Sequence, residues 1–318
     1  MLINIIRLAR PIHWIKNFAL FAALIFSGNL FNKTSTYLVI ISFLVFSLTT
    51  SAAYIFNDIQ DVKYDKFHPI KKKRPLAANQ VSIFSALFIA LVFSILSLIF
   101  AYQLNYLFFL MVLIYLVLQL IYSLGLKNVP IVDILIIAAG FIIRVYAGAF
   151  VINAHLSVWF MLCVISVSLF LASGKRRAEL GIITKTKTTT RKSLSKYSET
   201  LLDSYVTMFG NAAWMSWALF TFFESPRASL PVWLFLAELS RTTTIDKLLM
   251  FTIPFVIFGI MRYESLIFEG RSEAPEKLLL TDISLIISIL IWLSLVVLIL
   301  YGGISSPGNF PTFSRIFS

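Results

Sequence analysis

The sequence predicts an all-α polytopic membrane protein with about nine transmembrane helices in a bundle, its N-terminus inside and its C-terminus outside. Three observations predict this. Of 318 residues, 59% are hydrophobic and 13% are charged, about half the charged share of a soluble domain. Residues 81–126 carry no charged side chain; at ~1.5 Å per helical residue the run is too long for one span and must fold back. The Lys and Arg residues behind the formal net charge of +12 gather on alternate segments, as the positive-inside bias requires. These features exclude a water-soluble enzyme, a disordered chain and a disulfide scaffold. The long apolar runs exclude a transmembrane β-barrel, whose strands alternate polar and apolar positions.

Taken in order, Met1 to Trp14 mix Arg7, Arg10, His13 and Trp14 with Leu and Ile. This pattern suits a short amphipathic helix on the inner interface, with Trp14 as an anchor. Apolar runs then place spans near 18–32, 36–56, 81–101, 106–124, 130–150, 157–173, 203–223, 247–262 and 281–302. Gln103-Leu104-Asn105 is the polar notch where the long uncharged run turns. The tract from Lys185 to Lys192, rich in Thr and Lys, reads as a loop. Ser229–Leu239 is short, contains Pro231 and reads as interfacial. Cys163 is the single cysteine and sits in an apolar run, where it packs as a small buried side chain. With the N-terminus inside, the outer segments hold only Lys33, Arg227, Arg241, Lys247 and Arg315, while Arg144 lies within a span. The basic excess is therefore topological and excludes nucleic acid as a partner. Residues 1–318 form one domain, with inner segments near 57–80, 174–202 and 262–280 expected to cap a cytoplasmic site. Lipid-facing helices are compatible with homo-oligomerisation.

The inner segments carry the chemistry. At the end of the second span, Asn57-Asp58-Ile59-Gln60-Asp61-Val62-Lys63-Tyr64-Asp65 spaces three carboxylates at i, i+3 and i+7, on one side of a helix. Their mutual repulsion is relieved by a hard divalent cation such as Mg²⁺, which also binds substrate phosphates; pairing with Lys63 and Lys66 is the bland alternative. Lys71-Lys72-Lys73-Arg74-Pro75-Leu76 follows. The lysines suit a membrane anchor, and Arg74 beside rigid Pro75 suits a phosphate ligand. His13, His68 and His155 have no metal-ligand spacing.

Asn57-Asp58-x-x-Asp61-x-x-x-Asp65 with Arg74-Pro75-Leu76 resembles the first aspartate-rich motif of the UbiA superfamily of intramembrane prenyltransferases. The resemblance implies a nine-helix bundle with a Mg²⁺–diphosphate site under a cytoplasmic cap. Ordinary members carry a second aspartate-rich motif after the sixth helix. Here the stretch is Gly174-Lys175-Arg176-Arg177-Ala178-Glu179-Leu180, which gives up metal capacity and gains capacity for anions; a positive-inside helix end is the alternative. Arg10-Pro11-x-x-Trp14-x-Lys16-Asn17, Tyr122-Ser123-Leu124-Gly125-Leu126-Lys127, Gly174 to Leu180, and Arg191-Lys192-Ser193-Leu194 are similar to the decaprenyl-phosphate phosphoribosyltransferase branch. So are Pro254-Phe255, Arg262-Tyr263 and Ala274-Pro275-Glu276.

That branch implies 5-phosphoribosyl diphosphate as donor, a polyprenyl phosphate as acceptor, and a bacterial plasma-membrane enzyme working on the cytoplasmic face. On this reading Asp58, Asp61 and Asp65 hold Mg²⁺ and are the catalytic set. Asn57, Arg74, Tyr122, Lys127, Lys16, Asn17, Glu179 and Arg191 join the substrate site, and Lys175 and Arg176 hold the 5-phosphate. Arg144, eleven residues after Asp133 on the fifth span, is expected to meet phosphate or ribose hydroxyls, or else to tie helices together. A prenyltransferase acting on an aromatic acceptor is the alternative enzyme. A transporter is disfavoured because the outer segments offer few polar groups.

Overall fold

The structure, a computed structural model, describes residues 2–67, 71–186, 194–224, 245–269, 278 and 280–302. Ten helices are described: α1 (Leu2–Ala9), α2 (Pro11–Phe26, opening as a 3₁₀-helix), α3 (Lys33–Asp65), α4 (Ile83–Leu104), α5 (Tyr106–Leu124), α6 (Val132–Val151), α7 (Val158–Thr186), α8 (Glu199–Phe223), α9 (Ile253–Phe268, entered through a 3₁₀ turn at Ile245–Thr252) and α10 (Ile283–Tyr301). Each of the nine expected spans overlaps one of α2 to α10, although the first, expected near 18–32, begins at Pro11 and ends at Phe26. Seven of these, with α9 and its leading turn taken together, are long and apolar enough to cross a bilayer. The other two are the short α2 and the more polar α8. Ser229–Leu239, Arg191 and Ala274-Pro275-Glu276 lie outside the described residues.

Local chemistry sets the boundaries. Asn32, Ser82, Ser198 and Asp282 accept backbone N–H bonds at the starts of α3, α4, α8 and α10. Asn105, in the expected turn, is extended, and its Oδ1 caps Leu107 and Phe108 of α5. The interfacial helix stops at Ala9, not at Trp14. Arg10 adopts a left-handed conformation (φ 53°) and Pro11 opens α2, because proline's missing N–H and fixed φ suit a first helical position. Two helices continue past their apolar runs into the inner segments: α3 carries the acidic motif to Asp65, as the helical spacing of its carboxylates requires, and α7 continues to Thr186.

Large apolar side chains such as Phe84, Phe88, Leu91 and Ile95 of α4 stand exposed, as hydrocarbon permits and water does not. Inside, α2 packs parallel to α6, with Asn17 beside Arg144 and Leu20 beside Gly148. A short connection turns the chain back into α7, so α2 and α7 are antiparallel. A Cβ on Gly148 would collide with the Leu20 carbonyl; the bare backbone lets these helices touch.

Candidate active site

Four elements converge where α3 ends. Arg10, in the left-handed turn before α2, reaches both oxygens of Asp58 through one Nη, at 2.6 Å for Oδ2. Arg74 donates from Nη1 to Asp58 at 3.1 Å and to Asp65 at 2.5 Å. Asp61 lies about 60° round the helix from Asp58 and accepts from Lys127 Nζ at 2.5 Å and from Asn57 at 3.1 Å. Ser123, at the end of α5, donates to Asn57. Asp58, Asp65 and Lys127 are buried. The geometry thus brings together Asn57, Asp58, Asp61, Asp65, Arg74 and Lys127, all expected from sequence, and adds Arg10.

No three His, Cys, Asp or Glu side chains among the described residues close on one point as a metal cage. Mg²⁺ does not need such a cage: it takes one or two carboxylates and completes its shell with water and substrate phosphate oxygens. Asp58 and Asp65, two turns apart and sharing Arg74, fit that role. Three carboxylates facing Arg10, Arg74 and Lys127 make a cluster close to neutral. An incoming diphosphate therefore brings charge that a divalent cation would offset.

A second group of charges is sealed off. Arg176 is fully buried and pairs through Nε with Asp133 at 2.6 Å, while its Nη atoms reach Glu179 and Tyr122, the latter at 2.6 Å. Tyr197, just before α8, donates to Asp133 at 2.8 Å and accepts from the N–H of Ile131 at 2.5 Å. Burial raises the Tyr197 hydroxyl above its ordinary range, and the Asp133 carboxylate adds to the rise, so Tyr197 stays protonated and donates. The bond also holds Ile131, a β-branched residue at φ 69°, in a conformation such residues avoid. Arg176, Glu179 and Tyr122 were expected at the substrate. Here they bind one another and Asp133, because a guanidinium shut away from water needs charged and polar partners beside it. Arg177 turns to Glu199 and Asp203 of α8.

Arg144 and Asn17 also differ from expectation. Arg144 Nε donates to Asn17 at 2.8 Å, and its Nη atoms reach the Gly140 carbonyl and the Tyr115 hydroxyl. Asn17 donates in turn to Ser47 and Thr50 of α3. This is the helix-tying alternative: the guanidinium spends its nitrogens on α2, α5 and α6.

Lys16 and Lys175 sit elsewhere again. They line a cavity of about 390 Å³ whose walls are otherwise apolar apart from Ser168, with Phe26, Phe141, Val167, Trp217 and Trp292 among them. Lys16 Nζ also lies 3.4 Å from the Tyr54 hydroxyl. Tyr54 stands one turn before Asp58 on α3, and Arg10 lies over its ring, 5.6 Å from the centroid. Sequence reasoning missed Arg10 and Tyr54 as parts of the site. The Arg10-Pro11 pair was the available signal for Arg10, since a residue before proline marks a forced break.

Residues 17–178 match the model of the UbiA prenyltransferase family. A decaprenyl-phosphate phosphoribosyltransferase of Corynebacterium glutamicum is 34% identical over 94% of this chain and 87% of its own length. Enzymes of that description from Mycolicibacterium smegmatis and Mycobacterium tuberculosis are 34% and 32% identical over 91% and 92% of this chain, and 90% and 93% of their own. Among solved structures, a UbiA homolog from Archaeoglobus fulgidus bound to GPP and Mg²⁺ superposes with a TM-score of 0.64 at 18% identity, over 94% of this chain and 98% of that one. Digeranylgeranylglyceryl phosphate synthase gives 0.60 at 16%, over 94% and 98%. These two likenesses concern the fold. On the family match and the near full-length relatives together, the chain belongs to the UbiA prenyltransferase family.

Proposed function

We propose that the protein transfers the 5-phosphoribosyl group from 5-phosphoribosyl diphosphate to a decaprenyl-like polyprenyl phosphate and releases diphosphate. The observation that carries the proposal is the cationic character of the wall facing the α3 carboxylates. Arg10, Arg74 and Lys127 meet those carboxylates directly, and Lys175-Arg176-Arg177 occupies the stretch where a two-motif prenyltransferase carries its second acidic motif. The names of the relatives matched over most of their length support the same reading.

In this scheme a lipid phosphate oxygen attacks C1 of the ribose. The bond from C1 to the diphosphate oxygen breaks, and its electron pair leaves with the diphosphate. Arg10, Arg74 and Lys127 hold the departing charge. Mg²⁺ held by Asp58 and Asp65 would neutralise diphosphate oxygens. The lipid phosphate is already an anion at neutral pH and needs no general base, so the protein's task is to hold two polyanions in contact. Two unit charges 4 Å apart repel by about 4 kcal/mol at an effective dielectric of 20, which accounts for the density of cations. The distribution of basic residues supports a site on the cytoplasmic face, and the bacterial relatives support placement in a plasma membrane.

The test is mass spectrometry of products formed by purified protein with Mg²⁺. One arm supplies labelled phosphoribosyl diphosphate and decaprenyl phosphate; the other supplies prenyl diphosphate and an aromatic acid. The expected product is polyprenylphosphoryl-5-phosphoribose in the first arm alone. A prenylated aromatic product in the second would replace this reading with the alternative.

A further inference from the structure

We infer that Lys16 and Lys175 form the subsite for the acceptor's lipid phosphate, distinct from the Arg10–Arg74–Lys127 cations that face the donor's diphosphate. The assignment rests on the proposed acceptor being a polyprenyl phosphate, and it reassigns Lys175 from the donor's 5-phosphate. Four observations carry it. First, Lys16 and Lys175 are the charged residues lining a cavity that is otherwise apolar apart from Ser168, and an apolar chain ending in an anion is complementary to that lining. Second, the two lysines share one end of it. Along α2 the lining begins at Ile15 and Lys16 and runs to Phe26, whereas along α7 it runs from Phe160 to Lys175. Because the helices are antiparallel, the first lining residues of one meet the level of the last of the other.

Third, that end abuts the acidic cluster. Tyr54 bonds Lys16 through its hydroxyl and lies under Arg10, which binds Asp58 one helical turn further on. The two anion subsites are therefore adjacent on α3 with Tyr54 between them, as an in-line encounter of a phosphate oxygen with C1 demands. Fourth, the neighbouring cation of α7, Arg176, is buried and committed to Asp133, Glu179 and Tyr122. That anchorage fixes the rotation of α7 that presents Lys175 to the cavity. Lysine suits this duty because a monoester phosphate on a mobile chain needs point charges rather than a planar fork.

The experiment measures lipid binding without donor, so it stands apart from the reaction itself. Detergent-solubilised protein is titrated with farnesyl phosphate and with farnesol, using the tryptophan emission to which Trp217 and Trp292 in the cavity wall contribute. The wild type should bind the phosphate at least about tenfold more tightly than the alcohol. Lys16→Gln and Lys175→Gln should each shrink that preference severalfold, while farnesol affinity is retained and Lys→Arg restores the preference. In turnover assays the Gln variants should raise the Michaelis constant for the lipid and leave that for phosphoribosyl diphosphate unchanged. Equal wild-type affinity for phosphate and alcohol overturns the inference whether or not the variants fold. So does a Gln variant that weakens the donor alone. A phosphate preference lost in the Gln variants, with no phosphoribosyl product from the wild type, would retain the lipid subsite and overturn the proposed reaction.

Discussion

At the scale of single residues, the site is decided by which cation each carboxylate meets. Asp58 is the most constrained, buried between Arg10 and Arg74. Asp58→Asn removes a charge that both guanidiniums and a divalent cation would share, so turnover should fall by at least about a hundredfold. Diphosphate-dependent Mn²⁺ binding, followed by electron paramagnetic resonance, should weaken with it; full activity in this variant would refute the metal assignment. Arg10→Lys is a finer probe. It keeps the charge but loses the planar, multi-donor guanidinium, so kcat should drop about tenfold while the protein stays folded. The three aspartates were legible in sequence because helical spacing alone puts them together. Arg10 was not, since its approach depends on a left-handed turn that no propensity announces. Arg144 and Arg176 illustrate the opposite failure. Arg144 within an apolar run and Arg176 within a basic stretch each signal that something polar is near, but the partner is Asn17 in one case and Asp133 in the other.

At the scale of elements, that second pairing joins four pieces of chain: the end of α5 through Tyr122, α6 through Asp133, α7 through Arg176 and Glu179, and the entry to α8 through Tyr197. Arg176→Met leaves Asp133 buried without its charge partner, a loss of about 3–5 kcal/mol, measurable as a lower melting temperature in detergent. Adding Asp133→Leu should recover part of that melting temperature, because an apolar pair of similar volume tolerates burial better than a lone charge. A residue acting as a 5-phosphate ligand would give no such recovery. A steric constraint of comparable weight lies between α2 and α6. Gly148→Ala drives a methyl group into the Leu20 backbone, and backbone cannot step aside as a flexible side chain can. The expected cost is at least about 1–3 kcal/mol, with α2 and its Lys16 displaced from the cavity. Helix existence was readable from apolar length and from caps such as Asn105. The continuation of α7 to Thr186 was not, because charged residues end a hydropathy window without ending a helix.

At the scale of the whole molecule, the bundle holds three environments side by side: an inner cluster of paired charges, a buried polar group through Asn17 and Arg144, and an apolar cavity lined from α2 and α6 to α10. On the proposed reaction, this arrangement would let a water-soluble diphosphate and a lipid-borne anion reach adjacent subsites from different solvents. It also makes orientation decisive, because a soluble donor must arrive from the side that the acidic cluster faces. On the positive-inside bias that side should lie inside the cell, an expectation that the lone cysteine makes easy to check. Cys163 is buried, so a cysteine introduced elsewhere can be labelled against a quiet background. Lys72→Cys is exposed just after the acidic motif, and Gln103→Cys is exposed at the far end of α4. On intact cells a membrane-impermeant maleimide should modify the residue at 103 and spare the one at 72, which reacts only after the membrane is opened. The reverse pattern would turn the bundle over. Donor and lipid phosphate would then meet on the outer face, and the cytoplasmic placement of the reaction would fall with it.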